Sequence, residues 1–245
     1  MVSGFATTRH LSDQPQRTSG VHMRPVLSYA FSGNRHTGRT RLYKQCKSHL
    51  PKRFPELTFA FLGSPLGELP FPLLSGTNQR RHPTTILLEC WAKLNEFSIR
   101  RLRPALAREE VPVIDTFGLD ALLHATACSE CSPAEEQETV LLHHQLVQGR
   151  LLVQNIFPPH YFIVKAGIET AETRMLQSTP GTKNLTEHAR RTFIAHENRI
   201  IGDYFRPGNG QQGQFLDTDT HNQDELFELI VRRLQYDLQS KAQVA

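Results

Sequence analysis

Apolar positions in this chain come in short runs, separated by glycine, proline and stretches of helical spacing. Residues 25–32, Pro25-Val26-Leu27-Ser28-Tyr29-Ala30-Phe31-Ser32, read as a strand covered on both faces, because such strands are near-continuously apolar rather than alternating. A glycine-punctuated loop from Gly33 to Gly38 leads into a basic helix over residues 40–50. Residues 57–62 give a second short strand, stopped by Gly63-Ser64-Pro65, and a loop rich in proline and glycine runs to residue 83. A long helix is predicted over 84–108, with Ile86, Leu87, Cys90, Leu94, Phe97 and Leu102 on its apolar side. Pro104 should kink this helix or end its main part. Val111-Pro112-Val113-Ile114-Asp115 is a third strand that ends on an acid, and residues 134–154 form a helix whose glutamate-rich first turn suits the helix dipole. Residues 160–165 are a fourth strand, followed by a helix through Met175, a polar loop over 177–186 and a charged helix over 186–204. Residues 214–217 form a last strand and 223–238 a terminal amphipathic helix.

Short apolar strands alternating with helices specify an α/β fold, a parallel sheet covered on both faces. No repeat stands out at a period of about 20–50 residues. One domain is expected over residues 25–240. Residues 1–24 are polar, lack a hydrophobic period and read as a disordered leader; they hold no apolar core of a secretory signal, and Met23 offers an alternative start.

Composition narrows the classes. Of 245 residues, 38% are hydrophobic and 21% charged, enough apolar material to exclude a fully disordered chain. No run approaches about 18 consecutive apolar residues, so no membrane span is expected. Four cysteines do not make a disulfide scaffold and suit a reducing compartment, the cytoplasm. The net charge is only +4, but no acid lies between Asp13 and Glu56. That gap holds nine cations: Arg17, Arg24, Arg35, Arg39, Arg41, Lys44, Lys47, Lys52 and Arg53. Such a field suits phosphate-bearing ligands, and a solvated basic helix face gives the same pattern. A nucleic-acid-binding module rests on this gap alone, and the aromatic residues are too scattered for a stacking platform, so nucleic acid is not the expected partner.

The most informative segment is Ser32-Gly33-Asn34-Arg35-His36-Thr37-Gly38-Arg39-Thr40. It follows a predicted strand, opens a predicted helix and has phosphate-loop spacing, with arginine in place of lysine. Its glycines let successive N–H groups turn inward, and the helix N-terminus adds positive potential. Arg39 should reach the terminal phosphates of a nucleotide, and the Thr40 hydroxyl can bind Mg²⁺. Arginine keeps the charge but brings a bulkier planar fork.

Four further segments make the chain resemble the thymidylate kinase family of P-loop nucleoside monophosphate kinases. Gly63-Ser64-Pro65-Leu66-Gly67-Glu68 is similar to a stretch after that family's second strand. Residues 89–97, with Ile99 to Ala107 after them, resemble its substrate helix. Val113-Ile114-Asp115-Thr116-Phe117 stands where the family has a strand ending in Asp-Arg-Tyr, and Ala171-Glu172-Thr173-Arg174 resembles the sequence leading into its lid. The resemblance spans residues 26–235. It implies a three-layer P-loop fold with a five-stranded parallel sheet and a short lid over 177–186, and transfer of the γ-phosphate of ATP, with Mg²⁺, to a (deoxy)nucleoside monophosphate, dTMP first. It also implies roles. Gly33, Asn34, Arg35, His36, Thr37, Gly38, Arg39 and Thr40 would cradle ATP; Asp115 and Thr40 would hold the metal; Lys93 and Asn95 would bind the acceptor's phosphate and base. Arg39, Asp115 and Arg174 would form the catalytic set, and Lys183 is a second lid cation. Nucleotide substrates are the implied partners, and a homodimer is allowed.

The departures are specific. The family's acid and arginine after the second strand fall at Ala60 and Phe59, the arginine after Asp115 is Thr116, and its Tyr-Gln-Gly falls near His124-Ala125-Thr126. Phosphoryl transfer depends on positioned cations, so the alternative is a nucleotide-binding or scaffolding protein of the same fold with impaired catalysis. Arg35, Arg41, Lys183, Arg190 and Arg191 are candidates to compensate.

Other constellations point less far. His124, Cys128 and Cys131 have metal-like spacing, with His143 and His144 nearby, but zinc takes about four ligands and no second cysteine pair is present. Glu130, Glu135, Glu136 and Glu138 read as helix N-terminal charge. Asp217-Thr218-Asp219 reads equally as an adenine-side loop and as a strand-ending turn, and Trp91 and Phe97 read as core.

Overall fold

The computed structural model describes residues 27–33, 36–66, 83–128, 160–178, 185–205 and 213–242. The leader, Asn34, Arg35, the predicted helix over 134–154, Glu130, Cys131, His143, His144 and most of the expected lid, Lys183 included, lie outside the described residues. The strands are β1 (Tyr29–Gly33), β2 (Phe59–Leu62), β3 (Val111–Ile114), β4 (His160–Lys165) and β5 (Gly213–Asp217). The helices are α1 (Arg39–Arg53), α2 (Pro83–Phe97), α3 (Arg103–Ala107), α4 (Gly118–Cys128), α5 (Ile168–Ser178), α6 (Glu187–Tyr204) and α7 (Gln223–Ala242).

All five strands are parallel, in the order β2-β3-β1-β4-β5. Tyr29 pairs with Val113 on one side and His160 on the other, and the register with β4 runs on to Gly33 opposite Val164. Every residue of β1 is buried, which is why its sequence shows no polar alternation. Successive residues still point to opposite faces. Tyr29, Phe31, Phe162 and Val164 pack with Leu42, Cys46 and Leu50 of α1 and Ile230 and Leu234 of α7. Ala30, Tyr161 and Ile163 pack with Leu87, Trp91 and Leu94 of α2, Leu119 of α4 and Ile200 and Tyr204 of α6. The result is three layers with the sheet in the middle. A smaller cluster, Ala171, Met175, Phe193 and Ile194, joins α5 to α6. No described helix is long and apolar enough to cross a membrane.

Three helical details differ from the sequence reading. The first helix runs on through Pro51 to Arg53. Around Pro104 the helix is redistributed rather than broken: Ser98–Leu102 form one π-helical turn, in which the Arg103 N–H bonds Ser98 O five residues back. The widened turn makes room for a proline ring that would otherwise meet the preceding turn. Finally, α4 was not predicted, because it is buried on every side from Gly118 to Leu123 and so shows no polar stripe.

Candidate functional site

β1 ends between β3 and β4, where connections leave the sheet in opposite directions, and ligands of open α/β sheets bind at such a point beyond the strand C-termini. Gly33 leaves the strand with φ 138°. A Cβ there would sit 1.9 Å from the Val164 carbonyl oxygen, so only glycine fits. His36 and Gly38 also have positive φ, 64° and 91°, and the chain curls through them into α1. Gly38 is the N-cap, no side chain caps the helix, and its first turn holds no acid. The start of α1 is therefore a positive, uncapped helix end.

Beside it lies a cleft of about 670 Å³. Residues His36 to Leu42 form one wall, and Arg174, Gln177, Thr218 and His221 to Gln223 the other, with Val164 and Leu226 also lining it. Arg174, on α5, reaches across: its Nη1 donates to the Thr37 carbonyl at 3.2 Å and to the Thr218 hydroxyl oxygen at 2.9 Å. The loop after β5 is itself fixed, since the Thr218 hydroxyl donates to Lys165 O at 3.2 Å and Asp219 accepts from the Gly167 N–H at 2.7 Å.

On the β3 side, Arg39 meets two carboxylates. Its Nη1 donates to Asp120, and its Nε lies 4.0 Å from Asp115. Asp120, in the first turn of α4, also accepts from the Phe117 N–H at 3.3 Å. Burial pushes both carboxyls above the usual aspartate range, opposed by the Arg39 charge at both and by Lys44 at Asp115.

No protein-family model matches the chain, and no curated protein matches it in sequence. Solved structures do. A deoxyadenosine kinase from M. mycoides, with products dCMP and a flexible dCDP bound, superposes with a TM-score of 0.56 at 10% identity, covering 86% of this chain and 99% of that one. The same enzyme with bound dATP gives 0.54 at 12% identity, covering 85% and 100%. This chain has their fold. The five-stranded parallel sheet with helices on both faces is the α/β architecture expected from sequence.

Of the sequence-derived site residues, Gly33, His36, Thr37, Gly38, Arg39, Thr40, Asp115 and Arg174 are gathered around the strand C-termini. Lys93 and Asn95 lie on α2. Both are exposed on α2, whose inward residues are Leu87, Cys90, Trp91 and Leu94, and neither lines the cleft. The departures from the resemblance stand as folded facts. Phe59 and Ala60 lie within β2, where the Phe59 ring stacks on Phe61. Thr116 is buried, its hydroxyl bonded to Ser64. Arg190 and Arg191, candidate compensating cations, are both held by Glu172, at 3.0 and 2.9 Å. Arg41 lines the cleft. The residue that sequence reasoning missed is Asp120; its signal was a lone acid inside the apolar run Leu119 to Leu123, where a buried charge needs a partner. Among the described residues, no group of three or more His, Cys, Asp or Glu is arranged to hold a metal.

Proposed function

We propose that the chain binds ATP by its phosphates at residues 33–40 and transfers the γ-phosphate to a nucleoside-type acceptor, with dTMP as the acceptor the sequence resemblance suggests. One observation carries this reading: a glycine loop that tolerates no side chain at Gly33 opens an uncapped, acid-free helix end beside a cleft. An anion is the ligand such a site stabilises. That deoxyadenosine kinases of the same fold hold dCMP and dATP supports a nucleotide as the anion.

The donors suit the nucleotide's metal as well. The Thr40 hydroxyl, in the first turn of α1, and the Asp115 carboxylate are hard oxygens, and Mg²⁺ commonly takes only one or two protein ligands beside phosphate and water. Bound there, Mg²⁺ would neutralise phosphate charge. Arg174 would bring a second cation to the phosphates from the cleft's far wall, and its bond to Thr37 O would hold the loop in shape.

A second reading, nucleotide binding without efficient transfer, is favoured by Arg39 being shared with Asp120 and by the uncharged Thr116 beside Asp115. Calorimetry with Mg²⁺–ATP, followed by a coupled phosphotransfer assay against deoxynucleosides and their monophosphates, separates the cases. Binding with turnover on any acceptor supports transfer; binding without turnover supports the second reading. No binding at millimolar ATP overturns both.

A further inference from the structure

Arg39 and Asp120 are 81 residues apart in sequence and form one unit beside the phosphate loop. Arg39 is the first residue of α1, so its backbone is set by the helix while its side chain is long and has many rotamers. Ordering such a side chain costs conformational entropy. Asp120 removes that freedom. It is buried, and its carboxylate is tethered to the Phe117 N–H at 3.3 Å, so it does not follow a wandering guanidinium. It takes Nη1, and Nε lies 4.0 Å from Asp115. Neither carboxylate engages Nη2, and Arg39 lines the cleft.

The electrostatics sharpen the point. As a carboxylate paired with Arg39, Asp120 stands near the proposed anion site, where its field would oppose phosphate binding. Its contribution to such a site is geometry. A guanidinium is useful to a phosphate only when its planar fork is aligned, whereas an ammonium works from many approaches.

We propose that Asp120 is the positioning residue for Arg39, fixing the guanidinium so that Nη2 meets the terminal phosphate of a bound triphosphate. This rests on the reading that the loop binds ATP. It explains how arginine can occupy a lysine position: the partner that aligns it comes from the helix after β3, far away in sequence.

The test is the ratio of ATP to ADP affinity, since only ATP carries the terminal phosphate. Calorimetry with Mg²⁺ is run on the full chain, on Asp120→Asn, on Arg39→Lys and on the double variant. The native chain should prefer ATP over ADP at least tenfold. Asp120→Asn should cut that ratio about tenfold while ADP affinity holds or tightens, a split that simple structural damage does not produce. With Lys at position 39, the same Asn substitution should change the ratio less than threefold. Thermal unfolding checks that each variant is folded. If Asp120→Asn is not, Asp120→Glu replaces it: the carboxylate is kept but moved out by one methylene, and the ratio should still fall. An unchanged ratio in Asp120→Asn, or in a folded Asp120→Glu, overturns the proposal. So does an equal fall with Arg or Lys at position 39, or a native chain that binds ATP and ADP alike. Absence of ATP binding to the native chain overturns the ATP reading itself, and the positioning role with it.

Discussion

The guanidinium of Arg39, at the start of α1, donates to the carboxylate of Asp120 in the first turn of α4. The bond ties the start of α1 to the helix that follows β3. It also makes two residues that look independent in sequence answerable to each other, because a buried carboxylate is costly without its cation.

Arg39→Ala should therefore destabilise the fold as well as the site. Arg39 is partly exposed and Asp120 buried, so the loss should fall below the about 3–5 kcal/mol of a fully buried pair, with the carboxylate left uncompensated. Arg39→Ala with Asp120→Ala should be more stable than Arg39→Ala alone. Urea unfolding of the two variants checks this; equal midpoints would mean that the pair is not coupled.

Gly33→Ala should be worse than Gly38→Ala. At Gly33 the added carbon meets the Val164 carbonyl oxygen at 1.9 Å, and a backbone atom of the central sheet does not give way. At Gly38 there is open space, and the cost is the positive φ of 91°, about 1–2 kcal/mol. Thermal unfolding should place Gly38→Ala a few degrees below the native chain and Gly33→Ala far lower or unfolded. The reverse order would contradict this geometry.

Glu172 sets a pH dependence. Burial raises its pKa, but hydrogen bonds from Arg191 and Arg190 outweigh this, and the net position is below the usual glutamate range. A carboxyl lowered in the folded state contributes stability that is full above its unfolded pKa, about 4.3, and is lost as the pH falls through the folded value. Asp115 and Asp120, raised by burial, act with the opposite sign over their own window. Glu172→Gln should thus lower the unfolding midpoint at pH 7 and narrow the difference between pH 7 and pH 3.5. Unfolding curves at the two pH values decide; an unchanged difference would remove Glu172 from the acid limb.

Lys93→Ala and Asn95→Ala should leave ATP affinity and stability nearly unchanged, within about 0.5 kcal/mol, since both side chains are exposed on α2 and neither lines the cleft. If an acceptor assay shows turnover, a tenfold loss in either variant would restore the substrate role that the resemblance gives these residues.

The strands and the glycine loop after β1 were readable from the order of residues alone. All five strands were legible within a few residues, the inner ones because a doubly covered parallel strand is one near-continuous apolar run, as 160–164 shows. The loop's shape was legible because its requirements are local: Gly33, where a Cβ would collide, and Gly38, where φ is 91°, stand at fixed spacing between strand and helix, with His36 the one non-glycine described there at positive φ. What those elements surround follows from packing, which no stretch of residues states. α4 shows no helical stripe because it is buried all round from Gly118 to Leu123, so periodicity does not mark it. The resemblance gave Lys93 and Asn95 an acceptor-binding role, and only the packing of α2 through Trp91 and Leu94 shows that both side chains stand in solvent. The partners Arg39–Asp120, Arg174–Thr218 and Arg190–Glu172 are 81, 44 and 18 residues apart. No local pattern encodes such pairs, because a charge is matched by whatever the fold brings beside it, and that depends on the strand order β2-β3-β1-β4-β5 rather than on neighbours in the chain.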